Sequence, residues 1–360
     1  MAITLDGSLG ITSPLETVVG QFSSASTMGF KNRIINGACV IDQRNAGASV
    51  TITSSGTYTL DRWVFTTSAA SKISAQQNAG SVTPPVGFSN YMGVTSLSAY
   101  SILSTDYFFL TQKIEGFNTY DLGFGTVNAK TVTLSFQVYS SLTGTFGGSI
   151  QNSASNRCYP FSYTVSVANT WTPVSITIAG DTTGTWIGST NGIGMQVNFG
   201  LGIGSANSAT AGAWGTSGYT ATGATSVVGT SGATFYITGV QLEKGSTATS
   251  FDYRPYGTEL SLCQRYYQLN TSAVGYSNST TAVDVILSGS VQMRVSPSVS
   301  LFNGTSGVLD YNVSFRNISV TTIGTTQTNN GIEVSLTVAA TTISKSQGVA
   351  PNCVALTAEL

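Results

Sequence analysis

Short segments of strict two-residue alternation recur along this chain, and no amphipathic stretch of 10–15 residues separates them. In TVTLSFQVYS the inward set is Val132, Leu134, Phe136 and Val138, with Thr131, Thr133, Ser135, Gln137 and Tyr139 opposite. GMQVNFGLGIG repeats the pattern with Met195, Val197, Phe199, Leu201 and Ile203 inward. YTVSV (Tyr163, Val165, Val167), PVSITIAG (Val174, Ile176, Ile178) and YFFLTQKIEG (Phe108, Leu110, Ile114) add further pieces. FYITGVQLE breaks its alternation at Gly239, where a bulge is expected. Many half-buried strands divided by turn residues fold as a sandwich or a barrel.

Composition supports this and excludes several functions. Apolar residues make up 41% and charged residues only 8%, against roughly 25% charged in a typical soluble domain. Disorder needs the opposite balance. The formal charge of −1 leaves no basic patch for phosphates, so nucleic acid is not an expected partner. The chain has no histidine, which removes the commonest general base, the His-dependent triads and His-ligated metal sites. Cys39, Cys158, Cys263 and Cys353 form no CxxC pair and read as buried thiols, with disulfides left open. MAITLDGSLG lacks the basic and apolar regions of a secretion signal. No apolar run approaches a membrane span of ~20 residues. A soluble chain made in a cytoplasm is the expectation.

Three units are expected. Residues 1–29 read as an attachment arm, with Ile3-Thr4-Leu5 as a short strand. Residues 30–255 read as a jelly roll with three large loops, QQNAGSVTPPVGFSNYMG, TGTFGGSIQNSASNRC and GSANSATAGAWGTSGYTATGATSVVGTSG. Residues 256–360 read as a smaller C-terminal β-sandwich, with strands in TAVDVILSG, SPSVSLFN, YNVSFRNISV and GIEVSLTVAAT. A short helix joins the last two units. Thr258 is its expected N-cap and Glu259 its first residue, a favourable charge at the positive end. Phe251, Tyr253 and Tyr256 are expected to pin the connector Thr247–Gly257, since aromatics suit a flexible linker poorly.

Three pieces carry a resemblance. KNRIINGACVIDQRN with YTLDRW opens the body, ANTWTPVSITIAGDTTGTW running on to NGIGMQV lies in its middle, and FYITGVQLEKGSTATSFDYRPYGTELSLCQRYY closes it. With the opener MAITLDGSLGITSP and the tail from VQMRVSPSVSLF to TAEL, the chain resembles bacteriophage virion proteins of the tail-fibre or capsid-fibre type. The resemblance implies a jelly roll similar to carbohydrate-binding modules, displayed on the virion surface and commonly trimeric. The resemblance alone fixes neither the place on the particle nor sugar binding; the expectation is a fibre that adheres to a host surface glycan and joins other virion proteins through residues 1–29. A capsid decoration protein binding coat subunits is the alternative reading. A carboxylate-dependent polysaccharide depolymerase is a third.

Sugar recognition needs flat aromatics for the ring faces and amides, carboxylates or hydroxyls for the hydroxyl groups. Trp63 and Trp171 sit in or beside strand patterns and read as packing residues. Trp186 and Trp214 lie in glycine-rich contexts near Asp181, Asn191 and Tyr219, and these five are the candidate glycan contacts. The same rings could instead fill the core or a contact between subunits. Asp106, Glu115 and Asp121 are close enough in sequence to converge as catalytic carboxylates. Each reads better as a cap, turn or surface ion-pair partner, as do Arg62 beside Asp61 and Glu243 beside Lys244, so no catalytic residue is assigned. No calcium-loop, P-loop or dinucleotide pattern occurs, and no metal or cofactor is expected.

Overall fold

A computed structural model describes residues 30–269, 291–298 and 355–360 in full and, outside these, the backbone of the strands named below. The strands β1 (Thr4–Asp6), β2 (Gly10–Ser13) and β3 (Glu16–Thr17) pair as a small antiparallel sheet. The body then runs through β4 (Val50–Thr51), β5 (Thr57–Tyr58), β6 (Val64–Thr67), β7 (Ile73–Gln77), β8 (Met92–Ser96), β9 (Tyr107–Glu115) and β10 (Val132–Ser140). It continues with β11 (Gly144–Gln151), β12 (Cys158–Val165), β13 (Thr172–Ile178), β14 (Ile193–Ile203), β15 (Ser208–Ala209), β16 (Thr220–Ala221) and β17 (Thr234–Lys244). Helix α1 (Tyr256–Gln264) leads to β18 (Tyr267–Ser272), β19 (Val274–Ser277), β20 (Ala282–Leu287), β21 (Ser298–Leu301), β22 (Val308–Asp310), β23 (Val320–Thr328), β24 (Gly331–Val338) and β25 (Gly348–Thr357).

Two six-stranded antiparallel sheets form the body. The first has the order β13-β10-β17-β8-β7-β4 and the second β12-β11-β14-β9-β6-β5. The chain crosses between them repeatedly, which makes a jelly-roll sandwich. The C-terminal strands form a separate sheet in which β18, β19, β21 and β22 all pair with β25. The fold is therefore all-β, with one short α-helix among the described residues, and the strands of TAVDVILSG, SPSVSLFN and GIEVSLTVAAT lie where alternation placed them. YNVSFRNISV falls largely outside the described residues.

The core lies between the two sheets. Val132, Leu134, Phe136 and Val138 are buried, as are Met195, Val197, Phe199 and Leu201 from the facing sheet. Phe136 meets Phe199 and Tyr163 edge-on, each at 5.1 Å. Each such ring contributes about 1.5–3 kcal/mol by leaving water. At the sandwich edge, β13 leaves Val174 and Ile176 half-buried.

Three local expectations fail. Val167 is 59% exposed, because β12 ends at Val165 and Asn169 turns the chain with φ 55°. The first half of TGTFGGSIQNSASNRC is the strand β11, not a loop. Its glycines are there for space, since a Cβ on Gly148 would lie 2.0 Å from the Asn198 carbonyl oxygen. Thr258 does not cap α1. The helix starts at Tyr256 behind Pro255, with no side-chain cap.

Glu259 has a different task. Its carboxylate accepts the backbone N–H of Asn36 and is paired with Arg254. Asn36, with φ 58°, is fully buried; its side chain bonds Ile41 and Asp61, and its carbonyl accepts the Trp63 indole N–H at 3.0 Å. The opening and closing motifs of the body thus meet in one buried polar knot.

Arg62 and Asp61 are not surface partners of each other. Both are buried, Arg62 at 1% and Asp61 at 0% exposure. Arg62 pairs with Glu359 and stacks on Tyr266 at 3.4 Å, while Asp61 accepts two hydrogen bonds from Gln43. Burial pushes the Asp61 carboxyl up to about 6, against the pull of Arg44 and the Gln43 bonds. Between its ordinary value of 3.8 and about 6, the folded state alone keeps the proton. The stability this group contributes is complete below that window and is lost as pH rises through it. Asp61→Asn is expected to flatten this fall, read as thermal midpoints between about pH 4 and about pH 7. An unchanged slope in the variant would contradict the assignment.

Candidate functional site

The bulge in β17 builds an aromatic surface feature. The register of β10 against β17 slips between Ser135 and Gln137, and Gly239 takes φ 62°. The Phe88 ring lies directly on this glycine, where a Cβ would come within 2.5 Å of it. The connector after β17 is held down by Glu243, which is only 3% exposed and accepts from the Thr249 N–H at 2.8 Å and its hydroxyl at 2.6 Å. Glu243 is therefore an internal anchor rather than a surface partner of Lys244, which faces Asp121 at 3.5 Å.

Anchored in this way, the connector sets Phe251 and Tyr253 against Phe88. The three ring centroids lie 4.8–5.6 Å apart. The Tyr253 hydroxyl donates to the Gly87 carbonyl at 2.6 Å, yet the residue stays 58% exposed. Phe251 and Tyr253 pin the connector as their number suggested, whereas Tyr256 is 63% exposed at the start of α1.

This aromatic ridge walls two hollows. One, of about 400 Å³, lies on the outer face of the first sheet. Its floor and far side include Ser135, Gln137, Pro173 and Ser175, with Thr249 and Ser250 from the connector, and no Asp, Glu, Lys or Arg lines it. Farther along β10 the same face carries Tyr139, stacked on Tyr236 at 5.3 Å, and Trp171, whose indole donates to Thr83. The other hollow, of about 490 Å³, is bounded by the ridge, the Gly37–Ala38 turn, Asp252, Arg254 and Glu259.

The outer face of the second sheet is occupied. Thr220 lies over Gly147 and Gly200, so the segment carrying β15 and β16 covers one part. Beneath it the polar ladder Thr111–Asn198–Ser149 is closed, with bonds of 2.7 and 3.1 Å. Toward the other end, Glu115 holds Arg265 at 3.0 Å and Lys113 donates to Leu360.

The five sequence candidates do not form one site. Trp186 and Trp214 do meet, perpendicular at 5.6 Å, with Phe124 edge-on to both. Both indole N–H groups are already engaged, Trp186 with Asp181 at 3.0 Å and Trp214 with the Ala179 carbonyl at 2.7 Å. Burial works against the Asp181 charge, but the Arg157 fork at 2.6 and 2.8 Å, Trp186 and the Thr183 N–H hold its pKa below the ordinary value. A hollow of about 250 Å³ lies beside Trp186 and Tyr120. Tyr219 stacks instead on Phe109 at 4.9 Å, and Asn191 exchanges hydrogen bonds with Arg294.

Nor do the acidic candidates converge. Asp106 accepts from Ser68, Tyr100 and the Leu103 N–H, Glu115 binds Arg265, and Asp121 binds Arg33 at 2.9 Å. Among the described residues no three Cys, Asp or Glu groups gather as a metal site. Cys39, Cys158 and Cys263 are free and buried, and burial pushes the Cys39 thiol up to about 12. The Cys353 side chain lies outside the described residues.

No known protein-family profile and no curated protein matches this chain. Solved structures do. The enzymatically active domain of tailspike protein 4 from bacteriophage CBA120 is similar over 60% of this chain and 22% of its own, at 13% identity and TM-score 0.33. A family 11 carbohydrate-binding module from Clostridium thermocellum, in complex with a mixed-linked tetrasaccharide, is similar over 55% of this chain and 97% of its own, at 12% identity and TM-score 0.29. The CBM22-1–GH10 modules of xylanase 10B from Clostridium thermocellum, complexed with xylohexaose, match over 57% and 30%, at 15% identity and TM-score 0.26. These are distant likenesses, and the fold assignment stands on the strand pairing itself.

Proposed function

We propose that this chain is a virion surface protein that displays a glycan-binding jelly roll for host adhesion, with the hollow of about 400 Å³ on the first sheet, a trough beside the ridge, as its binding face. One observation carries the glycan reading. A partly exposed aromatic wall, with Tyr253 outermost, stands over a floor of hydroxyls and an amide, with no ionisable side chain among them except the Tyr253 phenol. Sugar rings present C–H faces to such walls and hydroxyls to such floors. The closed outer face of the second sheet supports the choice of the first. The virion setting rests on the motif resemblance, as do the trimer and the attachment role of residues 1–29. No catalytic role belongs to this reading.

The test is a glycan array with the intact protein. Tyr253→Ala is expected to weaken the bound signals by roughly tenfold, the size of one stacking contact. Trp186→Ala is expected to leave them unchanged. Equal signals from Tyr253→Ala and the wild type would remove the trough from consideration. Labelling the protein on intact particles, and its mass in solution, test the virion setting and the trimer.

A further inference from the structure

We propose that the second hollow behind the ridge is a binding site for an ammonium group. Its ionisable lining consists of Asp252, Tyr253, Arg254 and Glu259. Arg254 and Glu259 neutralise one another. Nη1 of Arg254 reaches both carboxylate oxygens at 3.2 and 3.3 Å, and its other bonds go to the carbonyls of Ile34 and Asn32. Asp252 has no such partner. Its Oδ2 accepts the Asn32 N–H at 3.1 Å, and Oδ1 accepts no hydrogen bond among the described residues. The hollow therefore presents one uncompensated carboxylate beside Phe88, Phe251 and Tyr253.

That pairing selects a cation. Aromatic faces attract positive charge through their quadrupole, and a carboxylate adds charge-assisted hydrogen bonds. An anion is repelled by Asp252, and a neutral group leaves its oxygen with a weaker partner. Two sources share the required chemistry: the primary ammonium of an unacetylated amino sugar and the quaternary ammonium of a choline-type substituent. The site goes beyond the glycan reading and does not require it, because the hollow can hold a small cation whether or not the trough holds a sugar.

Calorimetric titration of the full chain with glucosamine, N-acetylglucosamine, choline and glucose tests this. Glucosamine, choline or both are expected to bind, and their relative affinity identifies the source. Acetylating the amine is expected to abolish the glucosamine signal on the wild type, which needs no variant. Asp252→Asn keeps an acceptor for the Asn32 N–H and is expected to lower ammonium affinity by roughly tenfold. Array signals from the trough are expected to stay as they were. Failure of both ammonium probes to bind the wild type, or equal binding by Asp252→Asn, overturns the site. Ammonium binding without any array signal overturns the glycan reading alone.

Discussion

Arg62→Ala is expected to lower the free energy of unfolding by about 3–5 kcal/mol, the range for removing one partner of a buried ion pair. The Arg62 and Glu359 side chains are 1% and 6% exposed. The guanidinium also donates to the Lys113 carbonyl and lies 3.4 Å from the centre of the Tyr266 ring. Truncation strands the carbonyl and weakens the compensation of Glu359, leaving it Arg44 at 2.8 Å. It also opens a void against Tyr266. The measurement is urea denaturation monitored by tyrosine and tryptophan fluorescence. The double change Arg62→Met with Glu359→Gln removes both charges and fills the void, so it is expected to recover at least half of the loss. A loss below about 1 kcal/mol in the single variant would mean the pair behaves like one on the surface.

Gly239→Val is expected to cost about 2–4 kcal/mol and to remove trough binding as well. A β-branched residue at φ 62° is strained by itself. Its Cβ would also stand within 2.5 Å of the Phe88 ring, so the ridge must move. Gly239→Ala carries the backbone cost with a smaller displacement and is expected to fall between. Thermal denaturation reads the first effect and the glycan array the second. A variant that loses stability but keeps its full array signal would show that Phe88 does not shape the site.

The strands were readable because alternation is local: each inward residue is two positions from the next. Gly239 was readable for the same reason, since it breaks the pattern within one strand. Arg62 was not. Its burial depends on Glu359, 297 residues away, and nothing near Arg62 announces that partner. The surroundings of Trp186 and Trp214 were hidden for a related reason. Their glycine-rich contexts suggested open loops, but the two rings, 28 positions apart, pack on each other and on Phe124. The ridge had half a signal. Phe251 and Tyr253 stood out as unsuited to a linker, while Phe88 lay inside a stretch read only as a loop. Their meeting depends on the bulge, whose direction alternation does not give.

The place of β17 has a consequence in time. It is the last strand of the sandwich to be made, yet it lies third in its sheet, between β10 and β8. Until residue 244 has emerged from the ribosome, β10 and β8 each present an open edge, and the first sheet exists only as two unjoined halves. Pairings this distant close slowly, and open edges meanwhile invite other chains. A nascent chain halted before Thr234 should therefore remain protease-sensitive and prone to associate, and completion of one central strand should close both halves together.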